Sequence, residues 1–539
     1  MKSKSKRSAQ ADEIHEKQVL HETASIGLMN NIGIYTHYFY RGLLFLFFIC
    51  CSILILNNSS MHTILNKSWS IGNFMLFFWL YIGMILSFSF LYKYNSKMND
   101  ECLVGLLFFL ALFPRVFLAL NFEWQPINDF FNYYFMGVSY LNGNYEGVAQ
   151  TVYSYGISSF SGMAVLNGFL MRLFSITPLG NQIISSVLSS AITVPIFFLG
   201  KKYNRNVGLI AAIIFTIYPS NIIFSQVNTN QHGAILCALF SLNLLLSVLE
   251  EKGEFTRKDL IQIITAGLLM IFSYYFHPSW YTHLVAIAIF SVILLIEKWR
   301  EANFRKKIAI SIIVFAFSIG ILNFTGMEIM SSKGLVPTGI NQQPLWAKLY
   351  VGFNPETYGE YSHNDVVEIN ALPENEKVDF MLQGTLKRIK QVNILDFWKE
   401  KIKRMWSSPD TSFYWYQEGL NGALDQTIDD EIIYSLKKAK LSAATENINA
   451  FMWVDYVYIF IIYILAAVGI APFGKDCRIR QMDLPMLALL GWISIHLLSE
   501  IQPRYRYFGM PIIMIFSAIG ITKVFYLFKI RNKHLEGSK

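Results

Sequence analysis

One acidic residue, Asp129, stands in a setting where side-chain chemistry is possible. It lies in the aromatic-rich stretch 122–134, which directly follows an apolar run from Leu103 to Leu120. That run is long enough to cross a membrane. A carboxylate held among aromatic rings at the end of such a span is partly desolvated, and a carboxylate of this kind is suited to general-base catalysis. The alternative interpretation is an ordinary solvated loop acid.

Two arginines, Arg504 and Arg506, lie between two apolar runs in the stretch 500–507. A guanidinium group binds phosphate through paired hydrogen bonds, so the two arginines predict a phosphate site. Anchoring at the membrane surface by long basic side chains is the alternative. A third arginine, Arg115, falls inside an apolar run, where a charge must face protein or a polar cavity. Pairing with an acid such as Asp129 and contact with a substrate both fit Arg115.

Other residue types give weaker signals. His277 and His283 flank a very short polar turn, and His232 begins an apolar run, but no HExxH or HxxH pattern is present. A dedicated zinc site is therefore not indicated. The sequence contains no nucleotide-binding glycine loop and no basic stretch interleaved with aromatics, so neither a nucleotide donor nor nucleic acid is predicted as a partner. The five cysteines show no metal or disulfide spacing and are interpreted as small hydrophobes.

The composition shows what kind of protein carries these residues. Of the 539 residues, 53% are hydrophobic and 15% are charged, and the mean hydropathy is +0.37. A soluble chain of this length needs a more polar surface, so the sequence predicts an all-α polytopic membrane protein. Residues 1–37 are polar and basic without a cleavable apolar core, which predicts a cytoplasmic tail.

Transmembrane helices need about 17–25 apolar residues. We predict about twelve spans, at about 42–57, 72–92, 101–121, 182–200, 207–221, 231–249, 259–276, 280–297, 307–325, 451–472, 483–499 and 508–528.

Loop charges predict the orientation of these spans. With both termini inside, the short inner loops carry the lysines and arginines, and the opposite loops carry few, as the positive-inside rule requires. The apolar segment 161–176 would break this pattern if it crossed, so we predict an amphipathic helix lying along the outer interface.

The predicted spans divide the chain into five parts. The hydrophilic insert punctuated by prolines is placed outside, and within it 395–406 has apolar residues at helical spacing opposite a basic face, which predicts an interfacial helix. The predicted parts are a cytoplasmic tail at 1–37, a transmembrane module at 38–325 with a catalytic outer loop at 122–181, an extracytoplasmic region at 326–450, C-terminal transmembrane helices at 451–530, and a cytoplasmic tail at 531–539.

Four short motifs, taken in chain order, resemble those of the GT-C superfamily of polytopic glycosyltransferases. They are most similar to the family-39-like members, which include protein O-mannosyltransferases and lipid A aminoarabinose transferases. The motifs are Arg115 followed by 126–134, which resembles R…P-x-(S/N)-D-F-x-x-Y; Tyr218-Pro219-Ser220-Asn221; 352–359 followed by Asp365, which resembles G-x-N-x-x-S-x-G with a downstream acid; and Glu500 followed by 504–507.

The resemblance implies transfer of a sugar from a polyprenyl-phosphate donor to an acceptor on the outer face of a bacterial plasma membrane. The acceptor would be an envelope glycan, teichoic acid, lipid or protein. Asp129 would act as base or help to bind a divalent cation such as Mg²⁺ or Mn²⁺, with Glu123 as a second candidate ligand. The residues expected to bind the substrate or its phosphate are Arg504, Arg506, Arg115, Tyr505, Tyr133, His277 and Asn354.

One departure from the family pattern bears on the metal. Members commonly carry a glutamate shortly after the Tyr-Pro motif, whereas this chain has the neutral stretch 228–232. Two other classes of protein therefore stay open beside an enzyme. One is a transporter or flippase of lipid-linked glycans, for which ionisable residues near mid-bilayer would be typical. The other is a non-catalytic assembly partner with the same fold.

Overall fold

A computed structural model supplies the structure of the chain. The predicted span at 72–92, most of the N-terminal tail and the end of the insert fall largely outside the described part. The structure describes residues 34–56, 89, 92–122, 124–251, 253–278, 280–337, 344–408, 412–422, 452–472 and 477–537.

The described chain is built from α-helices, which we number in chain order. They are α1 (Ile34–Leu56), α2 (Asp100–Asn121), α3 (Asn128–Leu141), α4 (Tyr145–Tyr155), α5 (Phe160–Leu173), α6 (Pro178–Ala191), α7 (Thr193–Tyr203), α8 (Arg205–Thr216), α9 (Pro219–Phe224), α10 (Gln231–Glu250), α11 (Arg257–Phe276), α12 (Trp280–Glu297), α13 (Ala302–Ser332), α14 (Pro344–Gly352), α15 (His363–Asn370), α16 (Glu374–Gln391), α17 (Ile394–Trp406), α18 (Ser412–Gly422), α19 (Met452–Ile470), α20 (Asp483–Leu498) and α21 (Met510–Gly537).

The predicted fold class is confirmed: the chain is an all-α polytopic membrane protein. Within the described ranges, nine helices are long and apolar enough to cross a membrane, α6 and α7 together forming one of them. The predicted spans at about 207–221 and 280–297 correspond to shorter apolar helices, α8 and α12. Every predicted span apart from 72–92 therefore has a helical counterpart.

Polar caps fix several helix starts. The Asn99 side chain accepts from the backbone of Cys102 at the start of α2, and Thr256 forms a capping box with Asp259 at the start of α11. Such caps satisfy backbone donors that a helix start leaves unpaired. The caps explain why α2 and α11 begin at these positions, which the apolar pattern alone does not define.

Small residues let two of the spanning helices pack backbone to backbone. Gly469 on α19 and Gly520 on α21 face each other so closely that a Cβ on either would overlap the partner helix's backbone. Close approach at small residues is a common way for helices to associate within a membrane, where burial of apolar surface drives association less strongly. Helix α21 is thereby packed directly against α19.

The two predicted surface helices form, with one correction. Helix α5 is a shorter apolar helix of 14 residues and packs between α3 and α11 with Met163 buried. Helix α17 covers the predicted interfacial segment, but its apolar face is buried in the protein, with Phe397 at 2% exposure. Lys401, predicted on the basic face, is instead 1% exposed. The prediction of a basic outer face was wrong at Lys401. Backbone carbonyls surround this lysine, and sequence spacing does not reveal them.

Candidate active site

Asp129 lies in the first turn of α3, directly after the irregular segment 124–127. Asn128, the residue before it, has φ of +47°, a left-handed conformation that asparagine tolerates better than most residues. Trp124 is buried and its indole nitrogen donates to the Trp415 carbonyl over 3.2 Å. The segment that presents Asp129 is thus anchored on one side by Trp124 and shaped on the other by Asn128.

Two donors from distant helices hold the Asp129 carboxylate. The Tyr155 hydroxyl donates to Oδ1 over 3.0 Å, and Arg504 Nη2 donates to Oδ2 over 3.1 Å. Asn132 in turn donates to the Tyr155 hydroxyl over 3.0 Å. The Asp129 side chain keeps 41% of its surface exposed. It is therefore oriented by fixed partners and still accessible to a bound molecule.

Arg504 is almost fully buried against aromatic rings. Its guanidinium carbon lies 5.3 Å from the centre of the Phe130 ring and 5.7 Å from the rings of Trp415 and Tyr505. Cation–π contacts of this kind fix a guanidinium and become stronger as water is excluded. Arg504 belongs to the 3₁₀ helix Pro503–Phe508 between α20 and α21. The structure thus brings together Asp129, Tyr155 and Arg504 at one place.

Arg506, two residues on, points into the protein. It is fully buried, pairs with Asp455 over 3.2 Å and donates to the Ser408 carbonyl over 2.6 Å. The other oxygen of Asp455 accepts from the backbone nitrogen of Ser220 over 3.1 Å. Asp455 of α19 therefore links Arg506 to the Tyr-Pro-Ser-Asn motif, and the acid that Arg506 pairs with is Asp455, whereas Arg504 pairs with Asp129.

The motif at 352–359 forms a tight turn. Asn354 Oδ1 accepts from the backbone nitrogens of Glu356 and Thr357, while its amide group donates to Asp365 over 3.0 Å. Asp365 pairs with Arg388 over 2.8 Å. Asn354, predicted to contact the substrate, thus has its polar atoms engaged within the turn.

The turn is linked by backbone pairing to the segment that leads into Arg504. Glu360 and Ile501 form an isolated parallel β-bridge, the one β-type pairing recorded among the described residues. The backbone nitrogen of Glu500 also donates to the Lys348 carbonyl over 2.9 Å. With the Asp129–Arg504 pair and the Asp455–Ser220 contact, segment 500–507 is the place where all four motifs meet.

Arg115 is fully buried in α2 and has neutral partners. It donates to Ser189 over 3.2 Å and to the Ala111 carbonyl over 2.5 Å, and its own carbonyl accepts from Gln226 over 2.9 Å. The sequence allowed a pairing of Arg115 with Asp129, and the structure does not have this pairing. Arg115 instead ties α2 to the buried polar residues of α6 and of the segment after α9.

The remaining predicted residues that the structure describes lie near the Asp129–Arg504 pair and differ in their contacts. Tyr133 packs against Tyr155, with ring centres 6.2 Å apart. Tyr505 donates to Glu500 over 3.4 Å. His277 lies against the Phe508 ring at 5.0 Å, and burial together with the nearby charges of Arg504 and Lys348 lowers the pKa of its imidazole to about 3. His277 is therefore neutral at physiological pH. Glu123 lies outside the described residues.

The described residues do not fit a dedicated cation site. Among them, no group of three His, Cys, Asp or Glu side chains lies close enough together to hold a metal. The stretch 228–232, where a second acid would be expected, is buried and neutral, with His232 bonded to the Tyr507 hydroxyl at 2.9 Å. Each oxygen of Asp129 is already in contact with a donor. We therefore derive no step through a metal.

Two residues of this arrangement escaped the sequence analysis. Tyr155 lies in a stretch rich in tyrosines, and nothing in its spacing distinguishes it from its neighbours. Asp455, by contrast, carried a usable signal, since an acid within an apolar span is costly unless it is paired. Searching the spans for such acids would have found Asp455 as the expected partner of a buried arginine.

The fold and these contacts define an α-helical polytopic integral membrane protein. More specifically, the chain belongs to the family described as conserved hypothetical integral membrane protein, whose model matches residues 181–524. The match includes Arg504 and Asp455, whereas Asp129 precedes it. No curated protein is similar enough to match the chain.

Two solved structures are distantly similar to the chain. Both are crystal structures of the oligosaccharyltransferase of Archaeoglobus fulgidus. The one in complex with zinc and sulfate has 13% identity and a TM-score of 0.42, over 79% of this chain and 50% of that one. The one tethered to an acceptor peptide has 12% identity and a TM-score of 0.42, over 80% of this chain and 51% of that one. The chain thus spans about half the length of these structures.

Proposed function

We propose that the protein is a membrane glycosyltransferase that moves a sugar from a polyprenyl-phosphate donor to a hydroxyl group of an acceptor. The observation that carries this proposal is the Asp129–Arg504 pair. It sets a half-exposed carboxylate, which can accept a proton, beside a guanidinium, which can bind phosphate. The motifs that resemble the GT-C glycosyltransferases meet at the same place.

The two residues have complementary roles in this reaction. Asp129 takes the proton of the acceptor hydroxyl as its oxygen bonds to the anomeric carbon. The bond from that carbon to the phosphate oxygen breaks, its electron pair stays on the lipid phosphate, and Arg504 stabilises the charge. Arg504 Nε is buried and has no hydrogen-bond partner among the residues that the structure describes, so the guanidinium retains donor capacity. A single displacement inverts the anomeric configuration.

Tyr155 supports the base. Its hydroxyl donates to Asp129 over 3.0 Å and so fixes the orientation of the carboxylate. Burial, together with the charge of Asp129, raises the pKa of Tyr155 above its ordinary value, so the hydroxyl stays protonated and keeps donating. The base is thus oriented by two donors before substrate binds, as preorganised catalysis requires.

The positive-inside pattern of the loops supports placing this site on the outer face of a bacterial plasma membrane, with both termini in the cytoplasm. The acceptor would then be a component of the cell envelope: a glycan, teichoic acid, lipid or protein. In this proposal Arg506 and Asn354 position the site from within the protein, because their polar atoms are bonded to other residues.

The test uses the full-length protein in liposomes with a panel of polyprenyl-phosphate sugars and crude envelope acceptors. Release of free polyprenyl phosphate is followed by mass spectrometry for the wild type, Asp129→Asn and Glu146→Gln, a control at an exposed acid of the next helix, α4. We expect release by the wild type and the control and a loss of about 100-fold or more in Asp129→Asn. Equal release by Asp129→Asn would reject Asp129 as the base.

Removing divalent cations tests the metal separately. Because the described residues offer no cluster of ligands, we expect EDTA to leave turnover within about twofold, since no step depends on Lewis-acid charge stabilisation. Loss of turnover in EDTA and its return with Mg²⁺ or Mn²⁺ would contradict this. It would indicate a cation bound with the help of residues outside the described ranges, Glu123 first among them.

A further inference from the structure

Lys401 is buried in a cage of backbone carbonyls. Its Nζ lies 2.6 Å from the Ser499 oxygen, 2.8 Å from the Gly352 oxygen and 3.2 Å from the Leu497 oxygen. An ammonium group has three N–H donors, so three carbonyls use all of them. Among the described residues, no ion pair of Lys401 is recorded within 4 Å. The lysine is thus held by dipoles where an acid would be the usual partner.

The three carbonyls belong to two different parts of the chain. Gly352 is the last residue of α14 and the first of the turn 352–360. Leu497 lies in the last turn of α20, and Ser499 is the residue directly after that helix. The turn must also leave room for the lysine: a Cβ on Gly359 would lie 3.0 Å from Lys401 Nζ and 2.6 Å from the Gly352 oxygen. Gly359 has φ of +82°, which favours glycine as well. The glycine turn is thus shaped around Lys401.

The same two parts are joined next to the cage by backbone hydrogen bonds. Ile501 donates to the Gly359 carbonyl over 2.8 Å, and Glu500 donates to the Lys348 carbonyl over 2.9 Å. Three residues after Ile501 comes Arg504, which pairs with Asp129. Lys401 itself touches neither Arg504 nor Asp129. It acts on them through the segment 497–501.

We propose that Lys401 is a positioning residue that closes the turn 352–360 onto segment 497–501, thereby setting Arg504 beside Asp129. The link to sugar transfer rests on the function proposed above. The closure itself does not, because it follows from the carbonyl cage and the backbone pairing alone.

Hydrogen exchange of the backbone amides tests the closure without an activity assay. We compare the wild type with Lys401→Met, which keeps the length but has no donor, and with Lys403→Met, a control on the same helix with a partly exposed side chain. The Gly359, Glu500 and Ile501 amides should exchange at least about tenfold faster in Lys401→Met, and at the wild-type rate in the control. Unchanged exchange in Lys401→Met would overturn the proposal.

Gly359→Ala provides a second test if Lys401→Met does not fold. Its Cβ would press on the lysine and on the Gly352 carbonyl, so the Glu500 and Ile501 amides should exchange at least about tenfold faster than in the wild type. Exchange at the wild-type rate in Gly359→Ala would overturn the proposal.

Turnover distinguishes the failure of this inference from that of the proposed function. If the wild type releases polyprenyl phosphate, Lys401→Met should lower kcat about tenfold or more with a smaller change in KM, and Lys401→Arg should recover part of it. Faster exchange with no turnover by any variant would leave the closure standing and count against the proposed function. Faster exchange with normal turnover would show that the closure does not position Arg504.

Discussion

Arg504 donates to Asp129 over 3.1 Å although 375 positions separate the two residues in the chain. The contact joins the first turn of α3 to the 3₁₀ helix that precedes α21. One partner is 7% exposed and the other 41%. The arginine therefore acts as a fixed part of the protein, while the carboxylate is left within reach of solvent and substrate.

The first prediction concerns the shape of the cation. Arg504→Lys keeps the positive charge but loses the planar group that lies between the rings of Phe130, Trp415 and Tyr505. Because a lysine ammonium cannot stack in this way or pair bidentately with phosphate, turnover should fall about tenfold or more. Release of polyprenyl phosphate by Arg504→Lys in liposomes measures this.

A double mutant supplies the control for that prediction. Asp129 and Arg504 act on the same reaction, so the variant with Asp129→Asn and Arg504→Lys together should be little slower than Asp129→Asn alone. If the two losses multiply, the residues act independently, and their contact is not used in the reaction.

The sequence was sufficient to predict the fold class and, among the described residues, the helices at the predicted spans, because apolar runs of this length have one stable arrangement in a membrane. It also singled out Asp129 and Arg504 separately. It did not pair them, since the contact depends on how distant helices pack. Nor did it distinguish Arg504 from Arg506. In a 3₁₀ helix, with three residues per turn, residues two apart point in different directions, and here Arg504 pairs with Asp129 while Arg506 pairs with Asp455.

Lys401 shows a different limit of sequence reasoning. Helical spacing correctly placed α17 and its apolar face, but a lysine next to that face was counted as part of a basic surface. Its true partners are main-chain carbonyls of Gly352, Leu497 and Ser499. Main-chain oxygens occur at every residue, so no side-chain pattern could have identified these three.

The second prediction concerns the buried pair of Arg506 and Asp455, which are 0% and 1% exposed in their side chains. Asp455→Asn should destabilise the protein by about 3–5 kcal/mol, because it leaves a buried charge unpaired. Arg506→Met alone should cost a similar amount. Thermal unfolding of the detergent-solubilised protein, with each variant beside the wild type, measures the loss.

The double variant at these positions decides whether the loss comes from the unpaired charge. Asp455→Leu combined with Arg506→Met removes both charges and should be less destabilised than either single variant. A double variant that loses the sum of the two single losses would show that the ion pair is not the source. Turnover of the double variant should fall less than that of Arg504→Lys, because Arg506 pairs with Asp455, whereas Arg504 pairs with Asp129.

The third prediction concerns pH and His277. Its pKa is about 3 in the folded protein, because of burial and of the charges of Arg504 and Lys348, and near 6.5 when unfolded. Between these values the unfolded state binds more protons, so His277 contributes stability above about pH 6.5 that is lost as pH falls toward 3. His277→Gln should therefore lose less stability than the wild type between pH 6.5 and 4.5.

Unfolding midpoints at several pH values measure this difference. The comparison must stop near pH 4.5, since carboxylates such as Glu500, whose pKa is held below its ordinary value, contribute their own loss at lower pH. Parallel curves for the wild type and His277→Gln over this window would contradict the prediction.

The last prediction concerns Asn128, which is exposed and has φ of +47° directly before Asp129. Asn128→Gly should be close to neutral in stability, because glycine adopts positive φ without steric cost. Asn128→Val should cost about 1–2 kcal/mol, because a β-branched side chain is unfavourable in the left-handed region, whereas asparagine tolerates it. If the chain relieves this strain by shifting the turn, Asp129 moves away from Arg504, and turnover of the valine variant falls below that of the glycine variant. Unfolding midpoints and turnover of the two variants measured side by side decide the matter, and equal values in both would show that the left-handed residue does not set the position of Asp129.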